Sequence, residues 1–335
     1  MTSTATALPP ARVATRRRPG GPVLGVVLGL ATAAVVAMTL VRLVPFDAAV
    51  PFAQLVGLTP WVAGAAALLL VVVLLARRRA LALLVAACVV GQALWVVPFF
   101  VPEERAPATG SAPLRVLGAN AWLGQADARQ VVDLVRAEDV QVLAVVELTA
   151  DFRERLVAEG LEEVLPHHVD DKAGNGSEGS GLWSALPLTD VDLTPFSTFA
   201  MPSATVELDG RPVRVTAVHP VPPLLRTTST WHDELLRLGA RARADAQPQV
   251  LVGDFNATYD HASFRALLGD RFQDATRSAG HGLNLSWSAR PGTPDLLDLD
   301  HVVTDRENVV TDVGSVAVRG SDHRAILATV HVPRP

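Results

Sequence analysis

Three long segments without Asp, Glu, Lys or Arg occupy most of the first hundred residues of this 335-residue chain. They are residues 19–41, 48–76 and 80–102. Each reaches the length of about 20 residues that an α-helix needs to cross the hydrocarbon core of a bilayer. One such segment could be the buried helix of a soluble protein, but three in succession predict three transmembrane helices, so that residues 19–102 form a membrane anchor.

The arginines around these segments predict their orientation. Arg12 and Arg16–Arg18 precede the first segment and Arg77–Arg79 separate the second from the third, whereas only Arg42 and Asp47 lie between the first two. Arg16–Arg18 also resemble the start of a signal peptide, but two further segments follow, so cleavage would still leave a membrane protein. The positive-inside rule predicts a cytoplasmic tail over residues 1–18 and an extracytoplasmic location for everything after the third segment.

The charge balance changes sharply after the apolar segments. Residues 103–112 form a short polar linker, and residues 113–335 are predicted to be the exported domain. The chain beyond residue 102 carries 21 basic and 33 acidic residues, a net charge of −12. Nucleic-acid binding depends on neutralising phosphates with Lys and Arg, so this balance disfavours a nuclease unless a bound cation reverses the local field. The single cysteine, Cys88, lies in the third segment and excludes an intramolecular disulfide.

A buried strand in the exported domain ends in two polar residues. Val250, Leu251 and Val252 form a continuous apolar run that ends at Gly253, and Asp254 and Asn256 follow. A carboxylate at the mouth of an apolar strand can hold a cation or transfer protons. The alternative is an Asx-type turn that only closes the strand.

A strand–helix–strand unit opens the domain. The strand Leu114–Asn120 is followed by Asp127, which can cap a helix, and then by the apolar run Val140–Glu147. Such a unit implies parallel pairing of its strands. We therefore expect Asn120 and Glu147 at the same edge of one sheet.

Other polar residues also stand at strand ends. The turn Asp209-Gly210 predicts a hairpin whose second strand ends at His219, and an amphipathic helix is predicted over residues 228–245. Asp300 begins another apolar strand, and Asp322-His323 precede the last strand. The predicted site set is therefore Asn120, Glu147, His219, Asp254, Asn256, Asp300, Asp322 and His323.

Two further patterns invite a functional interpretation that their context does not favour. Residues 174–179 match the dinucleotide-binding glycine pattern, but a strand-like stretch follows where a helix should begin, so we predict a loop. His167-His168 with Asp170-Asp171 could bind a metal, yet a solvated strand end is the favoured interpretation. The adjacent residues Ser321, Asp322 and His323 cannot form a catalytic triad on an extended chain.

In their order and spacing, these residues resemble the endonuclease/exonuclease/phosphatase superfamily, the DNase I-like fold. The resemblance covers about residues 113–335, and its most specific parts are Gly253–Asn256 and Ser321–His323. A three-helix anchor with an exported domain further resembles bacterial membrane-anchored members of the family, including the VanJ type associated with glycopeptide resistance. The resemblance implies a four-layer α/β sandwich, with two mixed sheets face to face and helices outside, and a divalent-metal phosphoesterase.

The resemblance also implies roles for individual residues. Glu147 would be the principal ligand of Mg²⁺ or Mn²⁺, with Asn120 beside it. Asp254 would orient or deprotonate the attacking water, and Asn256 would hold a phosphate oxygen.

The histidines would act on the phosphate. His323 would stabilise developing charge, with Asp322 either orienting it or serving as a further metal ligand. His219 would contact the phosphate or assist the leaving group. Asp300 would orient one of the histidines, and Asp298 competes for that role because spacing does not separate the two.

Anchoring and acidity together suggest the substrate class. We expect a phosphate-bearing lipid or a lipid-linked cell-wall intermediate such as a polyprenyl diphosphate. An extracellular nuclease and a phosphatase for soluble phosphate esters are alternatives. From another class, the domain could be a binding module without catalysis.

Overall fold

Two six-stranded mixed sheets pack face to face in the computed structural model, which describes residues 21–334. The N-terminal tail with Arg12 and Arg16–Arg18 lies outside the described residues. Helices cover the outer faces of both sheets, so the predicted α/β sandwich of two mixed sheets flanked by helices is confirmed.

The apolar N-terminal part is helical and the following domain alternates strands and helices. Its helices are α1 (Pro22–Val41), α2 (Phe52–Val56), α3 (Thr59–Leu75) and α4 (Arg79–Val96), followed by a 3-10 turn (Val97–Phe100). The strands are β1 (Ala112–Asn120), β2 (Val142–Val146), β3 (His167–Asp171), β4 (Ser180–Ser184), β5 (Leu188–Asp192), β6 (Ser203–Leu208), β7 (Arg211–Val218), β8 (Gln249–Asp254), β9 (Phe272–Asp274), β10 (Trp287–Ser288), β11 (Asp295–Leu297), β12 (Asp300–Asp305), β13 (Val309–Ala317) and β14 (Arg324–Val332). The domain helices are α5 (Ala128–Ala137), α6 (Ala150–Ala158), α7 (Leu161–Val164), α8 (Thr228–Ala244), α9 (Ala262–Leu268) and α10 (Ala275–Ser278).

Each sheet contains one parallel pair among antiparallel neighbours. The first sheet has the order β13-β14-β1-β2-β4-β3, with β1 and β2 parallel. The second has the order β5-β6-β7-β8-β12-β9, with β7 and β8 parallel. The predicted parallel pairing of the first unit is therefore confirmed, and Asn120 lies opposite Val146.

Strand alternation explains the layering. Val116 and Val142 of the first sheet share a buried cluster with Val215 and Val252 of the second, which fills the space between the sheets. Their sequence neighbours point outward, where α5 and α6 cover the first sheet and α8 and α9 cover the second. Burying each such side chain contributes about 1.5–3 kcal/mol, so the core rather than cross-linking stabilises the domain.

Helix α5 begins where the sequence predicts. The Asp127 side chain accepts a hydrogen bond from the Gln130 amide at 3.1 Å, which satisfies one free donor of the first turn. Val131, Val132 and Val135 are buried on one face against the first sheet. The helix therefore fixes how β1 leads into β2.

Two glycines permit close approach at the edge that carries the predicted site. A Cβ on Gly118 of β1 would lie 2.9 Å from Val252 Cγ2 on the other sheet. Gly253 has φ +143°, and a Cβ there would collide with the Val218 carbonyl oxygen of β7. A side chain at Gly118 would push β1 away from β8, whereas one at Gly253 would push β8 away from β7, so either would displace a strand end that carries Asn120 or Asp254.

Two helices of the described part are long and apolar enough to cross a membrane by length and composition. They correspond to the predicted segments 19–41 and 80–102, and only 22% of the apolar window in each is buried. The predicted segment 48–76 is instead divided into α2 and the 17-residue α3. Two of the three predicted segments therefore form helices long enough to span a membrane, and the prediction of three transmembrane helices is not confirmed among the described residues.

Replacing Gly253 with alanine should destabilise the protein by at least about 2 kcal/mol, because the new Cβ meets backbone and φ is unfavourable for an L residue. Thermal unfolding of the purified full-length protein measures the effect. Gly314→Ala is the matched control, since nothing lies within 4 Å of its Cβ position. Equal melting temperatures for both variants would contradict the close-approach argument.

Candidate active site

The carboxyl ends of the central strands bring polar side chains from both sheets together. Asn120 ends β1 and Glu147 follows β2, while Asp254 ends β8. The Asn120 amide donates to Glu147 Oε1 at 3.2 Å and to Asp254 Oδ2 at 3.1 Å. Asn120 therefore links two carboxylates that lie on different sheets.

The backbone around Glu147 is held in an unusual conformation. Glu147, Trp122 and Leu123 all have positive φ angles, at 52°, 45° and 54°. The Leu123 amide donates to Glu147 Oε2 at 2.8 Å, and the Trp122 amide donates to Asn120 Oδ1 at 2.8 Å. Such backbone strain persists where surrounding contacts enforce it, which is common at functional sites. Burial raises the pKa of the Glu147 carboxyl, so a positive charge nearby would favour its ionised form.

Asp254 takes part in a turn and in the polar cluster at the same time. Its Oδ1 accepts from the Asn256 amide at 2.7 Å, which is the Asx-type turn considered from the sequence. Its Oδ2 lies 3.6 Å from His323 Nε2 and 3.9 Å from His219 Nε2. The turn thus uses one oxygen and directs the other into the cluster.

His323 is fixed between two carboxylates. Its Nδ1 lies 2.7 Å from Asp300 Oδ2, and its Nε2 faces Asp254. Donor atoms of Asp254, Asp300 and His323 all lie within 4.8 Å of one another. Burial alone would lower the pKa of His323, but the charges of Asp300 and Asp254 raise it to about 10. Burial raises the pKa of Asp254.

The geometry separates Asp300 from its competitor Asp298. Asp300 contacts the His323 ring and accepts a hydrogen bond from Ser286 Oγ at 2.7 Å. Asp298 is fully buried, its Oδ1 has no hydrogen-bond partner in the described residues, and burial raises its pKa well above the usual range. His301 also turns away from the cluster, since its Nδ1 lies 2.8 Å from Asp274 Oδ2. Asp300 is therefore the residue that orients a site histidine.

His219 lies beyond β7 on the other side of Asp254. Its ring packs against Phe199 at a centroid distance of 5.0 Å. Burial, followed by the charge of His323, lowers the pKa of His219 to about 3. His219 is therefore neutral at physiological pH and can act as a hydrogen-bond donor or acceptor, not as a cation.

The side chains also fit a divalent cation. Asp322 is half-buried, and its Oδ1 has no hydrogen-bond partner among the described residues. A buried unpaired carboxylate oxygen beside the raised-pKa carboxyl of Glu147 is a donor set that suits Mg²⁺ or Mn²⁺. Since Asp300 orients His323, the geometry favours Asp322 as a ligand over Asp322 as an orienting residue. Asn120 Oδ1 already accepts from backbone, so its predicted part as a ligand stays a prediction.

Two serines that sequence analysis missed brace this site. Ser321 Oγ donates to the Asn120 carbonyl at 2.8 Å and accepts from the His323 amide at 3.0 Å. Ser286 Oγ accepts from the amides of Leu299 and Asp300. Ser321 belongs to a motif that the sequence singled out, whereas nothing around Ser286 marks it.

The cluster opens into a cavity of about 610 Å³. Glu147, Asn256 and Asp322 lie on its polar side. The remaining wall is largely apolar and comes from several loops: Trp122, Leu123, Pro222, Pro223, Leu224, Trp287, Leu297 and Leu299. Ala53, Gln54 and Gly57, from α2 and the residue after it, complete this wall, which the sequence did not predict.

The other two candidate motifs differ in their relation to this site. Residues 174–179 form a loop, as predicted, and Ser177 of this loop lines the cavity. His168 and Asp170 lie on the edge strand β3, where Arg153 contacts both side chains at 2.9 and 3.0 Å. Among the described residues, the group suited to a metal by mutual proximity is Asp254, Asp300 and His323.

Comparison with known proteins gives one consistent family. The model of the endonuclease/exonuclease/phosphatase family matches residues 117–323. No curated protein matches the chain. The family model does not distinguish a membrane-anchored subtype, so the resemblance to the VanJ type stays a prediction.

Several solved structures share the fold at low sequence identity. A humanized zebrafish (Danio rerio) TDP2 with 14 mutations aligns over 66% of this chain and 100% of its own, at 14% identity and a TM-score of 0.56. A truncated Caenorhabditis elegans TDP2 covers 66% and 98%, at 14% identity and a TM-score of 0.52. A Beutenbergia cavernae endonuclease/exonuclease/phosphatase covers 66% and 72%, at 18% identity and a TM-score of 0.50.

We expect Asp300→Asn to lower the turnover of a phosphate ester by about 10²–10⁴-fold, because His323 loses the carboxylate that orients and charges it. Asp298→Asn is the matched control two residues away, and it preserves the neutral form that burial favours. Steady-state kinetics of both variants measure the difference. A larger loss of turnover in Asp298→Asn than in Asp300→Asn would show that Asp298, and not Asp300, orients His323.

Proposed function

Because the chain belongs to the endonuclease/exonuclease/phosphatase family, we propose that it is a membrane-anchored, extracytoplasmic phosphoesterase that depends on a divalent cation. Its substrate is a phosphate-bearing lipid or a lipid-linked cell-wall intermediate. The observation that carries this proposal is the 610 Å³ cavity, which joins a carboxylate–histidine cluster to apolar walls. The carboxylate–histidine cluster, with a bound cation, suits a phosphate group, and the apolar walls suit a hydrocarbon chain.

Glu147 and Asp322 would hold Mg²⁺ or Mn²⁺, with Asn120 placing the Glu147 carboxylate. When bound, such a cation acts as a Lewis acid on the phosphoryl group and neutralises part of its charge. It would also offset the mutual repulsion of the carboxylates that the fold gathers here.

The chain's own side chains supply the rest of the chemistry. Asp254 is suited to accept a proton from the attacking water, since burial raises its pKa. His323, kept protonated by Asp300, donates a hydrogen bond to a phosphate oxygen. Neutral His219 lies on the far side of Asp254 and can hydrogen-bond the leaving group, and Asn256 offers an amide proton to the phosphate.

A lipid substrate fits the properties of the whole chain. The long helices α1 and α4 leave most of their apolar surface exposed, unlike the core helix of a soluble protein. The acidic balance beyond residue 102 opposes binding of a polyanion. An extracellular nuclease or a phosphatase for soluble esters is the second candidate, because the polar cluster itself would serve either. The binding module without catalysis is disfavoured because each polar residue of the set is retained.

The contacts at the helix ends support one topology. Arg42 follows α1 and Trp61 begins α3, and both bond to the domain, at Asp260 and at the Leu296 carbonyl. Arg77–Arg79 lie at the opposite ends of α3 and α4. With three crossings, this arrangement keeps the arginine-rich turn in the cytoplasm and the domain outside.

Glu147→Ala and His323→Ala should each lower hydrolysis of a polyprenyl diphosphate by about 10²–10⁴-fold while leaving the fold intact. EDTA should abolish turnover by the wild type, and Mg²⁺ should restore it. His281→Ala, at an exposed position, is the matched control.

Parallel incubations with plasmid DNA and p-nitrophenyl phosphate test the alternatives. Phosphate release from the lipid alone supports the proposal. Nicking of the plasmid supports the nuclease, and hydrolysis of p-nitrophenyl phosphate alone supports a phosphatase for soluble esters. No reaction with any of the three substrates supports the binding module. Near wild-type turnover in both alanine variants would refute the assignment of the site.

A reporter fused after residue 335 should be accessible from outside intact cells, because the domain follows a third crossing. A reporter in the Arg77–Arg79 turn should be protected from the same impermeant reagent. If only the reporter in the Arg77–Arg79 turn were accessible, the orientation in the membrane would be the opposite of the proposed one.

A further inference from the structure

The segment that joins α1 to α3 is a fixed part of the catalytic domain's surface. This outer connection, residues 42–58, carries a buried ion pair in which Arg42 Nε lies 2.6 Å from Asp260 Oδ1, with both side chains less than 10% exposed. Asp47 accepts hydrogen bonds from the amide and the hydroxyl of Ser263. Because both charges are paired in the interior, the outer connection is not a loose tether.

Helix α2 carries this attachment to the rim of the active-site cavity. The Ala53 carbonyl lies 2.7 Å from His261 Nε2, and Gln54 Nε2 donates to the Pro223 carbonyl. A Cβ on Gly57 would meet His261, Thr258 and Leu297, each at 3.6 Å. The outer connection and the domain thus enclose the apolar half of the cavity between them.

The same rim exposes apolar side chains. Leu224 and Leu225, next to the residue that Gln54 contacts, are 63% and 81% exposed. Exposed neighbouring leucines on a domain attached to apolar helices are suited to the membrane interface. The cavity lining therefore reaches from the polar cluster to the outer connection and to the exposed Leu224.

We propose that the outer connection is the wall against which the hydrocarbon chain of the substrate binds, with Gly57 setting the width available to that chain. This inference rests on the proposed function, because it takes a phosphate-bearing lipid as the occupant. A volume of about 610 Å³ is within the range of about 300–1,000 Å³ typical of small-molecule sites. Several carbons next to the phosphate fit inside, and the rest of the chain extends into the bilayer.

Binding of two non-hydrolysable probes to the full-length protein in detergent with Mg²⁺ tests this. The probes are methylenediphosphonates that carry a five-carbon and a fifteen-carbon prenyl chain. The wild type should bind the longer probe at least about tenfold more tightly, because more apolar surface is buried. Gly57→Leu should lower this ratio about tenfold, since its side chain takes space from the hydrocarbon chain.

Two variants control for size and position. Gly57→Ala should keep the wild-type ratio, because its Cβ makes ordinary contacts at 3.6 Å. Gly64→Leu places the same side chain on α3, where nothing lies within 4 Å of the Cβ position, and should also keep the ratio. An unchanged ratio in Gly57→Leu, or equal affinities for both probes in the wild type, would overturn the inference.

A second measurement on the wild type does not depend on how any variant folds. A fifteen-carbon probe with a photoreactive diazirine within its first few carbons should label residues 42–58 and the neighbourhood of Leu297. Labelling that misses the outer connection would also overturn the inference. Neither probe is hydrolysed, so the two proposals can fail separately. If the protein prefers the longer probe but does not hydrolyse the natural diphosphate, only the proposed function is rejected. If it hydrolyses the diphosphate but shows no preference for chain length, only this inference is rejected.

Discussion

The close contact between the two sheets at one edge is the constraint on which the site depends. Asn120 belongs to one sheet and Asp254 to the other, yet they are joined by a hydrogen bond of 3.1 Å. That distance requires the backbones of β1 and β8 to approach, and Gly118 allows this because its missing side chain leaves room for Val252 and for the Gly253 amide. The geometry of this polar cluster therefore depends on how closely the two sheets pack, and any change that separates the sheets also separates the polar side chains of the site.

The carboxylates gathered at this edge repel one another, and the side chains of the fold offset only part of that repulsion. Asp254 and Asp300 flank the single ring of His323, while Glu147 and Asp322 lie towards the cavity. One protonated imidazole cannot balance four acidic groups. A bound divalent cation would bring the cluster nearer to neutrality, so cation binding should also stabilise the folded domain.

Much of the fold and the positions of the polar residues could be predicted from sequence, because buried strands end visibly where an apolar run meets a polar side chain. Asn120, Glu147 and Asp254 stand at such ends. The choice between Asp298 and Asp300 could not be made, because both alternate with leucines in the sequence. The structure places Asp298 before β12 and Asp300 at its start, and the contacts with Ser286 and His323 single out Asp300. Residues 48–58 of the outer connection fall within a predicted transmembrane segment, because the contact of Ala53 with His261 uses a backbone carbonyl, which has no sequence signal.

The buried ion pair between Arg42 and Asp260 couples the stability of the apolar segment to that of the α/β domain. A fragment that begins at residue 103 would lose Arg42 together with the rest of the outer connection, and with them the contacts to Asp260, His261 and Ser263. A truncated chain without these residues is consequently not a shorter copy of the same molecule, because one wall of its cavity and the partner of Asp260 are both missing.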